Sequence, residues 1–221
     1  MRGPFMKIAR TVVRRIARSL TLSRYNDFTI AAYFRKQGTH IGENNRIEVR
    51  TLGAEPDLVR IGNHCTIGPN VAFICHDGAT WLFTEEFPSL QKFGTIEIMD
   101  NCFIGINTTI LGNVRIGPNS IVGACSVVTK DVPPNSVVAG NPARVVSTVE
   151  EYKKKVLRIW EKQRPPGYFE GLEDGGKYSP EYIQQMKFKE LSKLMEHLNK
   201  VCWSEAKERD SALSQHTGDK K

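Results

Sequence analysis

Ile98, Ile104, Ile110, Ile116, Val122 and Val128 stand six residues apart without a break. A strict period of six is not the 3.6 of a helix, and it is three times the 2.0 of a strand, so the repeating unit is larger than either. Four residues after each aliphatic position comes a small one, namely Cys102, Thr108, Val114, Ser120, Ser126 and Val132, and glycine follows directly at Gly105, Gly117 and Gly123. The same grammar holds earlier, in Ile61-Gly62 with Cys65, Ile67-Gly68 with Val71 and Phe73 with Asp77, and a first copy can be read at Ile41-Gly42.

The physical solution to such a pattern is a solenoid whose coil has three flat sides. Each hexad supplies one short strand and one corner, the aliphatic residue points inward, and the small residue fits where the prism narrows. Like sides stack as parallel strands about 4.8 Å apart, so each coil buries the face that its neighbour exposes. Glycine and asparagine at the corners serve the positive φ expected there. The two "IGPN" sequences, with Pro69 and Pro118, suit turns better than strand interiors. At 40% hydrophobic and 25% charged residues over 221 positions, the composition is that of an ordered globular chain.

These residues resemble the hexapeptide-repeat acyltransferases, a family built on a left-handed parallel β-helix. The match covers roughly residues 41–146, and the handedness is implied by the resemblance alone, since ordinary parallel crossovers are right-handed. The fold class expected is therefore mainly β. A basic N-terminal helical segment occupies residues 1–40, the β-helix residues 41–146, a helical appendage residues 147–205 and a mobile tail residues 206–221.

Two stretches carry the functional part of the resemblance. "VGACSVVTKDVPPNSVVAGNPARVV", residues 122–146, is similar to the coenzyme A end of the family. It implies acetyl-coenzyme A as co-substrate, with the backbone of Ala124 along the pantetheine arm, Thr129 and Lys130 near the phosphates, and Arg144 beside the nucleotide. Lys and Arg neutralise phosphate charge, which fits those roles. "CHDGATWLF", residues 75–83, breaks the hexads and opens a loop over residues 80–94. It is similar to the branch that acetylates sugars of capsules, exopolysaccharides and lipopolysaccharide, and the resemblance makes His76 the catalytic base.

In the hexad grammar His76 points outward, while Phe73 and Asp77 point inward. An imidazole on a rigid coil can take a proton from an incoming hydroxyl or amine. No cysteine or serine stands in a nucleophile motif, so direct attack is expected rather than an acyl-enzyme. The imidazole's orienter is open between Asp77, whose phase argues against it, and Glu85 or Glu86 in the loop. The amide of Ile106, one coil below Ala124, is the expected oxyanion donor, with the side chain of Asn107 able to contribute. Trp81, Phe83, Glu85 and Asn107 are expected on the acceptor side, although Trp81 and Phe83 could equally be hydrophobic plugs. His64 shares the outward phase but sits in a regular hexad, which suits a surface or intersubunit role. It lies twelve residues from His76, on another side of the triangle, so the two do not stack into a metal site of the carbonic anhydrase kind and no metal is expected.

The activity implied is an acetyl-coenzyme A dependent O-acetyltransferase acting on a sugar or glycan, in a homotrimer with its sites between subunits. An N-acetyltransferase of an amino sugar, an antibiotic-modifying enzyme, and a non-catalytic scaffold at a membrane are the alternatives. The net charge is +7, and Arg10, Arg14, Arg15 and Arg18 gather opposite Ile8, Val12, Ile16 and Leu20. Such a helix can lie on an anionic membrane or pack its apolar stripe on the body of the protein. Nucleic acid is not expected, because no binding motif accompanies the charge. Five cysteines without a C-x-x-C pair, no apolar run near the roughly 18 residues of a membrane span, and no signal peptide point to the cytoplasm. Beyond the repeats, Thr148 and Glu151 form a capping box opening a helix over residues 148–163, and a second helix is expected from Ser179-Pro180 to about Asn199.

Overall fold

A computed structural model of the chain describes residue 13, residues 16–168 and residues 180–202. Part of the basic N-terminal stripe (Ile8, Arg10, Val12, Arg14 and Arg15), the linker before Pro180 and the tail from residue 206 lie outside the described residues.

Among the described residues, thirteen strands run through the first of two compact units, which divide between Tyr152 and Lys153. The first sheet stacks β1 (His40–Ile41), β3 (Val59–Ile61), β6 (Ile96–Ile98) and β9 (Val114–Ile116). The second stacks β2 (Arg46–Ile47), β4 (Thr66–Ile67), β7 (Phe103–Ile104), β10 (Ile121–Val122) and β12 (Ser136–Ala139), and β13 (Arg144–Thr148) closes its edge. The third stacks β5 (Ala72–Ile74), β8 (Thr109–Leu111) and β11 (Val127–Val128). Every pair is parallel except β12 with β13. Register follows the hexads, with Ile67 opposite Ile104 and Ile104 opposite Val122.

The core is the column of these inward residues. Ile67, Ile104, Ile110, Ile116 and Val122 are fully buried, each contributing roughly 1.5–3 kcal/mol by leaving water. Thr108, Ser120 and Ser126 are also fully buried. Their hydroxyls donate to carbonyls at the corners, Thr108 and Ser126 to Gly123 at 3.3 and 2.7 Å and Ser120 to Pro133 at 2.8 Å, which removes the cost of burying an unpaired hydroxyl.

The positive φ expected of asparagine and glycine at the corners falls mostly on asparagine. Positive φ falls three residues after the aliphatic position, on Asn44, Asn70, Asn101, Asn107, Asn113, Asn119 and Asn135, and also on His64 and Cys125. Asparagine tolerates that region, and a β-branched residue would not. Of the glycines that follow the aliphatic residue, Gly117 has the expected positive φ, 87°, whereas Gly42, Gly62, Gly68 and Gly105 answer to close stacking instead. A Cβ on Gly105 would meet the Ala124 nitrogen at 2.5 Å. His64 belongs to a polar ladder up this corner, where its Nδ1 lies 2.8 Å from Asn101 Oδ1, and Asn101 and Asn119 pass the chain on to Asn135.

Before the coils, a helix α1 is described over residues 16–22, and α2 (Ile30–Arg35) buries Ile30 and Phe34 against the solenoid core. Ile16 and Leu20 of α1 are exposed rather than packed on the body. After the coils, α3 (Val149–Gln163) opens on the expected capping box: Glu151 N donates to Thr148 Oγ1 at 3.2 Å and Thr148 N to Glu151 Oε2 at 2.9 Å. In the second unit, α4 (Pro180–Lys189) ends in a turn at Glu190, and residues 191–202 resume as helix. The appendage's second helix is therefore interrupted within the span expected to be continuous. No helix among the described residues is long and apolar enough to cross a membrane.

Candidate active site

His76 stands three residues after Phe73, the corner position that Asn113 fills one coil on, and there the chain leaves the hexad pattern. The excursion is tied at its neck. Asp77 N donates to Lys92 O at 2.9 Å, Gly94 N to Cys75 O at 2.7 Å, and His76 pairs with Phe93 as an antiparallel bridge. Asp77 does not turn inward as its phase suggested, because the hexad ends one residue earlier. Its side chain is exposed, accepts from Ala79 N at 3.1 Å and pairs with Lys92 Nζ at 3.0 Å. The Lys92 hydrogen bond, with the Ala79 amide second, holds its carboxyl below the usual carboxylate range.

The residue that orients His76 is Glu55. His76 Nδ1 lies 3.0 Å from Oε1 and 3.1 Å from Oε2 of that carboxylate, with the imidazole side chain 50% exposed and the carboxylate 23%. Glu55 is fixed by a 3₁₀ turn, Pro56–Leu58, in which Leu58 N donates back to Glu55 O at 3.1 Å and Pro56 stiffens the first position. None of Asp77, Glu85 or Glu86 takes this part, since Asp77 is engaged with Lys92 and no contact joins the two exposed glutamates to the imidazole. The sequence did hold one signal for Glu55. Twenty residues separate Ile41 from Ile61, where an unbroken coil takes eighteen, so the first coil also carries an excursion, and Glu55 lies within it.

An ionised carboxylate only accepts, so the proton of this bond sits on Nδ1 and the Nε2 lone pair is free. That is the tautomer a general base needs. Cys75, next in sequence, is buried. Burial first, then the charges of Glu55 and Asp57, push its thiol up to about 11. It stays protonated at neutral pH and is not a nucleophile.

A cleft of about 440 Å³ opens beside His76 and is lined by Asp77, Lys92, Phe93, Asn113 and Thr129 among others. Thr129 is thus brought to the histidine within one chain, one step before the exposed Lys130. Ile106, Asn107 and Ala124 lie elsewhere, at the corner between the second and third sheets, where Cys125 N donates to Ile106 O at 2.9 Å. The amides of Ile106 and Ala124 have no acceptor among the described residues, and both residues are exposed. Arg144 is exposed at the start of β13, with Nη1 donating to Ala143 O at 2.9 Å. Trp81 and Phe83 stand on a second 3₁₀ turn, Gly78–Phe83, and are 78% and 51% exposed, so neither plugs a gap in this chain. His64 stands at the corner between the first and second sheets, apart from His76.

Comparison with known proteins decides the family. Residues 95–130 match the family described as bacterial transferase hexapeptide (six repeats). Protein CapG of Staphylococcus aureus is 47% identical over 126 residues, which cover 56% of this chain and 73% of that protein. The chain belongs to the hexapeptide-repeat acyltransferase family. The galactoside O-acetyltransferase of Escherichia coli K12 is 35% identical over 115 residues, 52% of this chain and 56% of that one. The crystal structure of the hexapeptide-repeat acetyltransferase VCA0836 from Vibrio cholerae superposes with a TM-score of 0.50 at 24% identity, covering 67% of this chain and 94% of its own. The fold of this family member is the left-handed parallel β-helix that the resemblance implied.

Proposed function

We propose that this acyltransferase moves an acetyl group from acetyl-coenzyme A to a hydroxyl of a sugar or glycan, with His76 as the general base. The observation that carries the reading is the Glu55 bond to His76 Nδ1, which leaves Nε2 free to accept a proton on a histidine that lines the cleft beside the loop. Nε2 takes the acceptor's hydroxyl proton as the oxygen forms its bond to the thioester carbonyl carbon. The Ile106 amide, which lacks an internal acceptor, suits the oxyanion that develops. Collapse breaks the carbon–sulfur bond, and the imidazolium returns its proton to the departing thiolate, so the base ends as it began. Glu55 steadies the imidazolium through that interval.

Ala124 and Ile106 offer two stacked, exposed amides to an extended pantetheine arm. Lys130 and Arg144 supply cations for its phosphates. Because Ile106 and Ala124 occupy a different corner of the triangular coil from His76, the reaction draws the two corners from adjacent copies of the chain, as in a homotrimer. Trp81 and Phe83, exposed on the loop, offer ring faces to the acceptor, with Glu85 and Asn107 as polar partners. The sugar hydroxyl as acceptor draws support from the galactoside O-acetyltransferase relative.

The test is release of free thiol from acetyl-coenzyme A across sugars, nucleotide sugars, amino sugars and aminoglycosides. Transfer to sugar hydroxyls, lost in His76→Ala, supports the proposal. Transfer confined to amines moves the assignment to N-acetylation, and turnover unchanged in His76→Ala overturns the base.

A further inference from the structure

We infer that the N-terminal segment docks the protein onto an anionic lipid bilayer, a property beyond the transfer reaction and independent of it. The charge distribution is the first observation. Of 31 Lys and Arg residues, seven fall in residues 1–26, where there is no Asp or Glu at all. The remaining 195 residues hold 24 basic and 24 acidic residues and are neutral. The whole net charge of +7 therefore sits on the first 26 positions.

The second observation is what the described part of that segment does with its apolar side chains. Val13, Ile16 and Leu20 recur at helical spacing on one face and are 64%, 53% and 63% exposed. A helix that presents its apolar stripe to solvent and concentrates positive charge matches an interfacial element, with the stripe entering the acyl boundary and the cations meeting acidic headgroups. Nucleic acid would use the cations and leave that apolar stripe in water.

The segment is also fastened to the solenoid, so docking would hold the enzyme and not only a tail. Arg18 Nη2 donates to Arg50 O at 3.3 Å, Arg50 pairs with Asp27 at 2.9 Å, and Ile47 N, on the outermost strand of the second sheet, donates to Asp27 O at 2.7 Å. Leu22 and Tyr25 pack against the core. Five residues past Arg50 comes Glu55, the partner of His76, so the lipid-facing helix is anchored to the same excursion that supports the candidate base.

The experiment is cosedimentation of the full chain with vesicles of phosphatidylglycerol mixed with phosphatidylcholine, against vesicles of phosphatidylcholine alone. Binding at least tenfold stronger to the anionic vesicles, weakened by added salt, is expected, since each cation near such a surface contributes roughly fivefold. Ile16→Glu with Leu20→Glu abolishes it while the melting temperature holds, because both side chains are already exposed. Gln at Arg10, Arg14 and Arg15 weakens it on the order of a hundredfold. Equal binding to both vesicles, full binding by the Ile16→Glu/Leu20→Glu variant, or stronger binding to duplex DNA at the same ionic strength overturns the inference. A change of oligomeric mass in that variant also overturns it, by assigning the stripe to a second copy of the chain.

Discussion

Glu55 and His76, twenty-one residues apart in sequence, are joined by a carboxylate–imidazole contact of 3.0 Å. The two come from separate excursions of the solenoid, one in each of two successive coils. The strands that flank the two excursions set the spacing, so the pair is preorganised by parts of the chain that take no part in chemistry.

His76→Ala should lower kcat at least about 100-fold, the usual scale for a lost general base. Glu55→Gln should lower it at least about tenfold with KM for acetyl-coenzyme A unchanged, because Gln cannot hold the imidazolium. Steady-state thiol release, with coenzyme binding followed by calorimetry, separates the two parameters.

The Asp77–Lys92 pair predicts a pH-dependent loop. The Asp77 carboxyl is depressed in the folded protein, by the Lys92 hydrogen bond first, so its contribution is present above the unfolded carboxylate value and is lost as pH falls through the folded one. Hydrogen exchange over residues 77–93 should accelerate below about pH 4. Asp77→Asn should show that fast exchange already at neutral pH, with little change in global melting temperature.

Gly105→Ala tests the stacking account of the glycines. The added Cβ meets backbone, the Ala124 nitrogen at 2.5 Å, so two coils must part. A loss of about 1–3 kcal/mol is expected in denaturant melts. Since the displaced amide is Ala124's, coenzyme affinity should fall with it.

Cysteine labelling separates two thiols. Cys125 is exposed and follows Ala124 directly, whereas Cys75 is buried with its thiol pushed up to about 11, by burial before the nearby acidic charges. At neutral pH an alkylating reagent should modify Cys125 well before Cys75, as read by peptide mass. Acetyl-coenzyme A should slow the labelling of Cys125, and Cys75→Ala should retain turnover.

The column from Ile98 to Val128 was readable in the sequence because a buried aliphatic residue has only one requirement, and the period of six states it repeatedly. The outward place of His76 was readable for the opposite reason, as a polar residue at a corner where the period stops, while its proposed part as the base rests on the resemblance. Glu55 was only half readable: the twenty-residue first coil marks an excursion there, but no periodicity encodes the path that brings its carboxylate to the histidine. Asp77 was misread by the same cause: the grammar was carried one residue past the point where it ceased to apply. Gly105 was recognised but given the wrong reason, because positive φ and clearance between stacked coils leave the same residue in a sequence and only the structure distinguishes them.

The bonds at the neck, from Cys75 to Gly94 and Asp77 to Lys92 with the His76–Phe93 bridge, bring both ends of the excursion together beside the histidine. Residues 78–91 therefore behave as an exchangeable cassette. With His76 as the proposed base, their length and side chains can be rewritten to suit a new acceptor while the imidazole keeps its address, so diversification of substrate would need no renegotiation of that frame.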